Sequence, residues 1–553
     1  MRVSVHGCGI WKEVHRREAY PVEVTGAVIF LASPASSYVT ACPLLTQEHI
    51  ELGREAPAHL RPTSLLALLL PHLKTQDDWR MRQHVDGVNA LQSVAWTINT
   101  AMIPVVDRLA GVIGKKVSKL LVAHDVATAN MLGGAKFYVP MNCDFRGRVY
   151  GIPHFNFQRE DHVRALFQFA QGMQIGEDGL DWLMIHVANC GNFGAVRKRP
   201  WDERIAWTQS QRSMIEQTAS DPLATVDWWR DADEPFSFVA GCIELAAAWE
   251  AGPNYLTRLP VCFDGSCSGV QHLAMMMRDE GTARLVNLSA SEEPQDIYQH
   301  ITDYVIAQLK ADGGEHADWW LWAGIDRKLV KRPAMTFGYS VTVYGMKEQL
   351  VEVYREQNDG AEPTKAAAWY LAKCIMTAAE KVMRRPAEAM KFIRKLAEEA
   401  ADKGKPLEWT SPTGFPWSNL YCKPNVKTIH LELRGEYVRH NIGIGFEPGI
   451  VKRDAMAAAA PNFVHALDAS HLIRVVNAAC NVGVTNIAVV HDSFGCLAPQ
   501  ARKLLRTIRT QLAELYSQDV LADLRDAAGS SEPLPTKGSL DMRLSLFSEY
   551  AFT

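Results

Sequence analysis

Long hydrophobic runs are missing from this sequence. The greasiest stretch, Leu65 to Leu70, is far too short to cross a bilayer, which takes about 20 apolar residues. The N-terminus shows no signal-peptide pattern, so the expectation is a protein of the cytoplasm with no membrane partner. The 11 cysteines never fall in a C-x-x-C pair or at a regular spacing, which argues against a disulfide framework and for reduced core thiols. Neither sign of charge dominates: 58 Lys and Arg stand against 62 Asp and Glu, for a net charge of −4. That excludes a chain coated in basic surface but leaves room for a basic channel inside an acidic shell. No Walker A loop or H-E-x-x-H pair supports an ATPase or a metalloprotease, and no internal repeat or low-complexity tract stands out. What is present, 47% hydrophobic and 22% charged residues in a chain of 553, is the composition of a folded protein with several subdomains.

One short stretch organises the rest. Val261-Cys262-Phe263-Asp264-Gly265-Ser266-Cys267-Ser268-Gly269-Val270-Gln271-His272 runs from an apolar strand through an acid and a Gly/Ser turn into a Met-rich helix. A strand-end acid often does no more than cap the next helix. A second acid of the same kind decides otherwise. Asn486 to Val490 is a β-branched run that ends in His491-Asp492-Ser493-Phe494-Gly495, a hairpin tip with another exposed Asp. Two strand-end carboxylates side by side form a site for hard divalent cations, and such a site suits phosphate chemistry.

Three further stretches carry chemistry. Asp144-Phe145-Arg146-Gly147-Arg148-Val149-Tyr150 sets two arginines around a glycine, a clamp for backbone phosphates or, more blandly, a surface turn. In Asp326 to Tyr339, Arg327 and Lys331 share a helix face with Met335, and Tyr339 flanks it. A cationic stripe ending in a tyrosine suits a triphosphate with its sugar and base. Pro333 is expected to kink that helix or to start it. Pro461-Asn462-Phe463-Val464-His465 reads as the start of a helix running toward Cys480. Elsewhere the periodicity predicts strands within Val22 to Val39, a helix from about Asp77 to Leu109 and a second from about Lys116 to Met131. It also predicts one long helix over about 365–402 and an extended hairpin over Thr428 to Lys452. Trp182, Trp201, Trp207, Trp228 and Trp229 read as core anchors.

With these residues in view, the chain resembles the single-subunit DNA-directed RNA polymerases of bacteriophages and mitochondria over roughly Val85 to Thr553. Asp264-Gly265-Ser266-Cys267-Ser268-Gly269 is similar to palm motif A, Arg327-x-x-x-Lys331-x-x-x-Met335-Thr336-x-x-Tyr339 to fingers motif B, and His491-Asp492-Ser493 to palm motif C. Gln295-Asp296-Ile297-Tyr298 and the segments around Arg146 and His465 match further family stretches, and Tyr550-Ala551-Phe552-Thr553 resembles the C-terminal foot. Motifs that are weak singly become specific in this order. The resemblance implies an α+β, mostly helical fold, a cupped right hand of thumb, palm and fingers with an antiparallel palm sheet. It implies an N-terminal remnant over 1–75, thumb helices over 76–136, and a first palm part over 137–292. Fingers over 293–465 would carry hairpin 428–452 as a specificity loop, followed by a second palm part and foot over 466–553.

The resemblance further implies two magnesium ions about 4 Å apart, held by Asp264, Asp492 and the carbonyl of Gly265, for transfer of nucleotides from rNTPs to an RNA 3′-hydroxyl on a DNA template. Arg327, Lys331 and Arg332 would neutralise the triphosphate, with Lys331 protonating the leaving group. Tyr339, His465 and Gly269 would favour the ribose, Tyr298 would border the nucleotide, and Arg146, Arg148 and His491 would contact nucleic acid. Ser340 replaces a family glycine, and the large N-terminal domain used for promoter contacts is almost absent from these residues, which points to a second subunit or melting factor. If phage-encoded, the protein would act in the infected bacterial host cell. The rivals are an A-type or primase-like polymerase on single-stranded template, a non-catalytic nucleic-acid-binding subunit, and a hydrolase with Cys267 in a nucleophile elbow. Met335-Thr336 in place of Phe-Gly weighs against the first, both aspartates against the second, and the Arg327/Lys331 stripe against the third.

Overall fold

A computed structural model describes residues 45–46, 81–113, 117–338, 341–433 and 436–553. The strands expected within Val22 to Val39 lie outside the described residues, as do Tyr339 and Ser340. The fold is α+β and mostly helical, with small antiparallel sheets, as expected. None of the described helices is long and apolar enough to cross a membrane.

Helix α1 (Arg82–Gln92) buries Val88 and Leu91, and a Cβ on its Gly87 would lie 2.9 Å from Ile473, far along the chain. The helical period expected to run on to Leu109 stops after Gln92. Trp96–Ile98 is instead a buried strand paired with Phe167–Phe169. Trp96 stacks between Phe157 (4.6 Å) and Phe169 (4.8 Å), and this burial outweighs a pattern that Val94 and Ile98 satisfy at either period. Strands β1 (Met141–Cys143) and β2 (Val149–Gly151) form a hairpin whose tip holds Arg146 and Arg148, with Gly147 at a φ of 85°.

Strand β3 (Pro260–Asp264) alternates as a strand with one buried face must. Val261 and Phe263 are buried, while Cys262 and Asp264 face the other side. Helix α2 (Ser268–Met277) follows at once and is buried along almost its whole length. Helices α3 (Ile297–Asp312), α4 (Arg327–Phe337) and α5 (Val343–Gln357) start behind the side-chain caps Asp296, Asp326 and Thr342. Pro333 neither starts nor ends α4. It lies within the helix, buried among Leu329, Val330, Ala334 and Phe337, so packing outweighs the lost N–H. The long helix expected over 365–402 is two, Lys365–Val382 and Arg384–Asp402, divided at Met383. Pro386 explains the break, because its ring would crowd the Val382 carbonyl of a continuous helix, and it is tolerated in the first turn of the next one.

Strands β4 (Cys422–Leu433) and β5 (Glu436–Ile450) form the expected hairpin, begun six residues earlier than the pattern suggested. Residues 441–449 are all exposed, so this arm stands in solvent. Helix α6 (Lys452–Asn481) starts nine residues ahead of Pro461, because Ala455 to Ala460 are strong helix formers that carry the helix through the proline. Strands β6 (Ala488–Val490) and β7 (Ser493–Leu497) flank His491 and Asp492, and the sheet order β6-β7-β3 joins the two informative stretches of the sequence. Helix α7 (Ala501–Leu515) packs with α6 behind that sheet. Trp182 and Trp229 are buried and Trp201, Trp207 and Trp228 pack on the core, as anchors rather than a platform.

Candidate active site

Asp264 closes β3 opposite Ser493, and the Gly265 N–H donates to the Asp492 carbonyl at 3.3 Å. The two acids are therefore neighbours across one antiparallel pair, where side chains lie within about 5–8 Å. Gly265 leaves the space between them open: a Cβ there would sit 3.4 Å from Asp492 Oδ2. His491 takes the left-handed φ of 57° that turns the chain at the tip, and its ring meets Tyr150 edge-on at 5.0 Å. Residues 550–553 pair alongside motif A. Asp264 and Thr553 exchange backbone hydrogen bonds (3.1 and 3.0 Å), and the Ser266 N–H donates to Ala551.

The pair is only partly relieved electrostatically, by Arg197 at Asp264. Burial pushes the Asp492 carboxyl up to about 7, and the Asp264 and Asp468 carboxylates add to the shift against the hydroxyl of Ser268. Burial also raises Asp264, with Arg197 opposing. The Asp264 side chain is 47% exposed, so the carboxylate remains open to solvent on one side. Among the described residues no group of three or more His, Cys, Asp or Glu side chains could hold a metal. The available donors are two carboxylates and a backbone carbonyl, all oxygen. That set fits magnesium, which binds few carboxylates and keeps water and phosphate oxygens as its other ligands.

The cationic helix is linked to the acids through Asp296, which pairs with both Arg327 and Lys198, next in the chain to the Arg197 that pairs with Asp264. Lys331 and Met335 are exposed on α4 while its opposite face is buried, and the Lys331 charge reaches the Cys267 thiol beside Asp492. Arg327 donates to Asp296 at 2.6 Å and lies over the Tyr298 ring at 5.7 Å. Arg332 is not brought to the acids; it pairs with Glu352 of α5 at 2.9 Å. Gly269 is buried in the first turn of α2. The arginines of the β1–β2 tip are both engaged within the protein. Arg146 binds Asp144 (2.7 Å) and His465 Nδ1 (2.9 Å). Arg148 binds Asp468 through Nη2 (2.6 Å) and Nε (3.0 Å). Burial, then Arg148 and Arg146, lower His465 to about 3, so it stays neutral.

Comparison with known proteins settles the family. Residues 173–533 match the family described as DNA-dependent RNA polymerase. The chain belongs to that family. It is 35% identical over 483 residues to the DNA-directed RNA polymerase of Enterobacteria phage T3, covering 77% of this chain and 54% of that protein. It is 34% identical over 473 residues to T7 RNA polymerase of Escherichia phage T7, at 75% and 53% coverage. It is also 34% identical over 435 residues to the chloroplastic/mitochondrial DNA-directed RNA polymerase 2 of Arabidopsis thaliana, at 75% and 42%. The chain thus spans about half the length of the relatives it matches.

For a chain of this polymerase family, the site contains groups that the sequence reading passed over. Arg197 Nη2 lies 3.3 Å from Asp264 Oδ2, and Lys198 Nζ lies 3.2 Å from Asp296 Oδ2. A basic run such as Val196-Arg197-Lys198-Arg199 reads from sequence as a solvated face, so its only signal was position. Asp296 caps α3 and holds both Lys198 and Arg327. Asp468 is the buried centre of a chain from Arg148 through His272 Nε2 (3.7 Å) to Tyr516, whose hydroxyl is 2.7 Å from His272 Nδ1. The nucleophile-elbow reading fails on its thiol. Cys267 shares a 2.9 Å hydrogen bond with the Tyr298 hydroxyl, and burial raises its pKa rather than activating it.

Proposed function

We propose that this chain is the catalytic core of a DNA-directed RNA polymerase, adding nucleotides from rNTPs to an RNA 3′-hydroxyl under the direction of a DNA template. One observation carries the reading: two half-buried carboxylates meet at neighbouring strand ends, and Arg197-Lys198 link them through Asp296 to Arg327 of a helix whose exposed stripe is cationic. Two magnesium ions, when bound, supply activation of the 3′-hydroxyl and charge neutralisation at the leaving pyrophosphate. Asp264, Asp492 and the Gly265 carbonyl would hold them. Lys331 delivers a proton to the leaving oxygen, Arg327 turns from Asp296 to the triphosphate, and Tyr298 borders the nucleotide. Arg332 adds charge along the same helix. Tyr339, His465 and Gly269 favour the ribose, and Arg146, Arg148 and His491 line the path of template and transcript. On this reading β3, β6 and β7 are the palm, α3 to α5 belong to the fingers, and the β4–β5 arm acts as a specificity loop. A second subunit or melting factor would open closed duplex DNA, and the chain would act in the cytoplasm of the host cell.

The test is primer extension on a preformed RNA–DNA hybrid. Asp264→Asn or Asp492→Asn is expected to abolish nucleotide addition while hybrid binding remains near wild type. Substantial extension by either variant overturns the assignment. Preference for dNTPs in the same assay would favour an A-type DNA polymerase instead.

A further inference from the structure

The turn of residues 192–199 is held in an unusual shape. Asn192 and Ala195 both take left-handed φ values (48° and 59°), which side-chain-bearing residues seldom adopt, and Gly194 between them does the same at 60°. Asn192 Oδ1 pins the turn by accepting from the Arg197 N–H at 3.0 Å. The result is two adjacent cations placed on two different acids of the site. Arg197 Nη2 contacts Asp264 Oδ2 at 3.3 Å and the Thr553 carbonyl at 3.4 Å, and Lys198 Nζ contacts Asp296 at 3.2 Å. Arg197 thus takes an oxygen that a divalent cation at Asp264 would need.

We infer that Arg197 is a resident counter-ion that competes with the divalent cation for Asp264 and, once displaced, passes its guanidinium to the triphosphate of the incoming nucleotide. This rests on the polymerase reading above and deepens it. The Arg197 side chain is 30% exposed, so the contact is weak enough to exchange. A guanidinium released beside the site has a matched acceptor in a phosphate. The arrangement makes metal binding by the nucleotide-free chain weak and links it to arrival of the nucleotide, whose charge compensates the freed arginine.

Isothermal titration of Mn²⁺ into nucleotide-free protein tests the competition, with Arg197→Gln beside Asp264→Asn. Arg197→Gln is expected to bind Mn²⁺ more tightly, by up to roughly fivefold, the range of one part-exposed ion pair. In hybrid extension the same variant should raise KM for the nucleotide several-fold with kcat nearly unchanged. A merely structural arginine would lower both metal affinity and kcat. Arg197→Lys, which keeps the charge without the fork, should fall between the two and serves if the glutamine variant does not fold. Unchanged or weaker Mn²⁺ binding in a folded Arg197 variant, with binding lost in Asp264→Asn, overturns this inference alone. Equal binding in Asp264→Asn and wild type removes the metal site, and with it both readings. An unchanged KM overturns the hand-over to the triphosphate.

Discussion

The ion pair between Arg148 and Asp468 separates two uses of the same arginine. Family resemblance assigns Arg148 to nucleic-acid phosphate, whereas the structure commits its guanidinium to a carboxylate 320 residues away. The pair is secluded, with the Arg148 side chain 13% and the Asp468 side chain 4% exposed. Removing one partner of a buried pair leaves an uncompensated charge and costs about 3–5 kcal/mol, while replacing both by apolar groups is often near neutral. Arg148→Met should therefore destabilise by about 3 kcal/mol. Asp468→Leu should cost somewhat less, because the orphaned guanidinium can lean toward solvent. The double variant should cost less than either alone, giving a coupling energy of at least about 3 kcal/mol. Equilibrium urea unfolding followed by tryptophan fluorescence, read at unchanged slope, measures all four corners. A pH arm gives the sign independently. Burial would raise the Asp468 carboxyl, but His272 and Arg148 hold it well below the usual carboxylate range. Its stabilisation is thus complete above the unfolded-chain value of about 3.9 and fades as pH falls below it, fully in the wild type, in part in Arg148→Met, which keeps His272, and not in the variants that lack Asp468. Additive single variants would refute this account. If Arg148→Met left stability within about 1 kcal/mol of wild type but lowered the salt slope of hybrid binding by about one, the arginine would belong to a phosphate.

Gly147→Ala should destabilise by about 2–4 kcal/mol, combining a left-handed φ of 85° with a Cβ placed 3.0 Å from His84 and 3.2 Å from Phe415. Gly404→Ala, with φ 69° and open space around it, should lose only the strain, about 1–2 kcal/mol; equal losses in thermal melts would refute the crowding argument. Cys267 should resist iodoacetamide in the folded protein at pH 8 while being modified after unfolding, read by peptide mass spectrometry; rapid native labelling would revive a nucleophilic role. Tyr339→Phe should shift the rNTP-to-dNTP preference by about 1–3 kcal/mol, roughly ten- to a hundred-fold, and an unchanged ratio in competitive primer extension would remove Tyr339 from sugar recognition.

The elements that the sequence made legible are those whose signal is local. Val261 to Asp264 alternates, Asn486 to Val490 is β-branched, and each ends at an acid, so the two strands and their tips were readable before their pairing was known. The hairpin of β4 and β5 announced itself by glycines and alternating residues. The misplacements share a cause: local rules were trusted where burial decided. Pro333 was expected to kink or start its helix and Pro461 to start one, yet both lie inside theirs, the first packed against the core and the second carried by an alanine run. Trp96-Thr97-Ile98 fits helix and strand periods equally, and only the aromatic stack around Trp96 chooses the strand.

Within the proposed site, the two acids and the cationic stripe were legible and the groups that hold them were not. Asp264, Asp492, Arg327 and Lys331 sit in motifs where each residue type is informative beside its neighbours. Arg197, Asp296, Asp468 and His272 act across gaps no local window spans: 67 residues from Arg197 to Asp264 and 244 from His272 to Tyr516. Their role is electrostatic. Asp468 adds its charge to the burial that raises Asp492, while Arg197 opposes the rise at Asp264. The two acids therefore stand in unlike surroundings despite matching sequence contexts: Asp264 shares its charge with a removable arginine, whereas a second buried carboxylate bears on Asp492. On the proposed reading, a cation held by the pair would displace a partner at Asp264 and relieve repulsion at Asp492, so the asymmetry would favour first engagement through Asp492. That order follows from residues distant in sequence, which is why the strand-end acids alone could not express it.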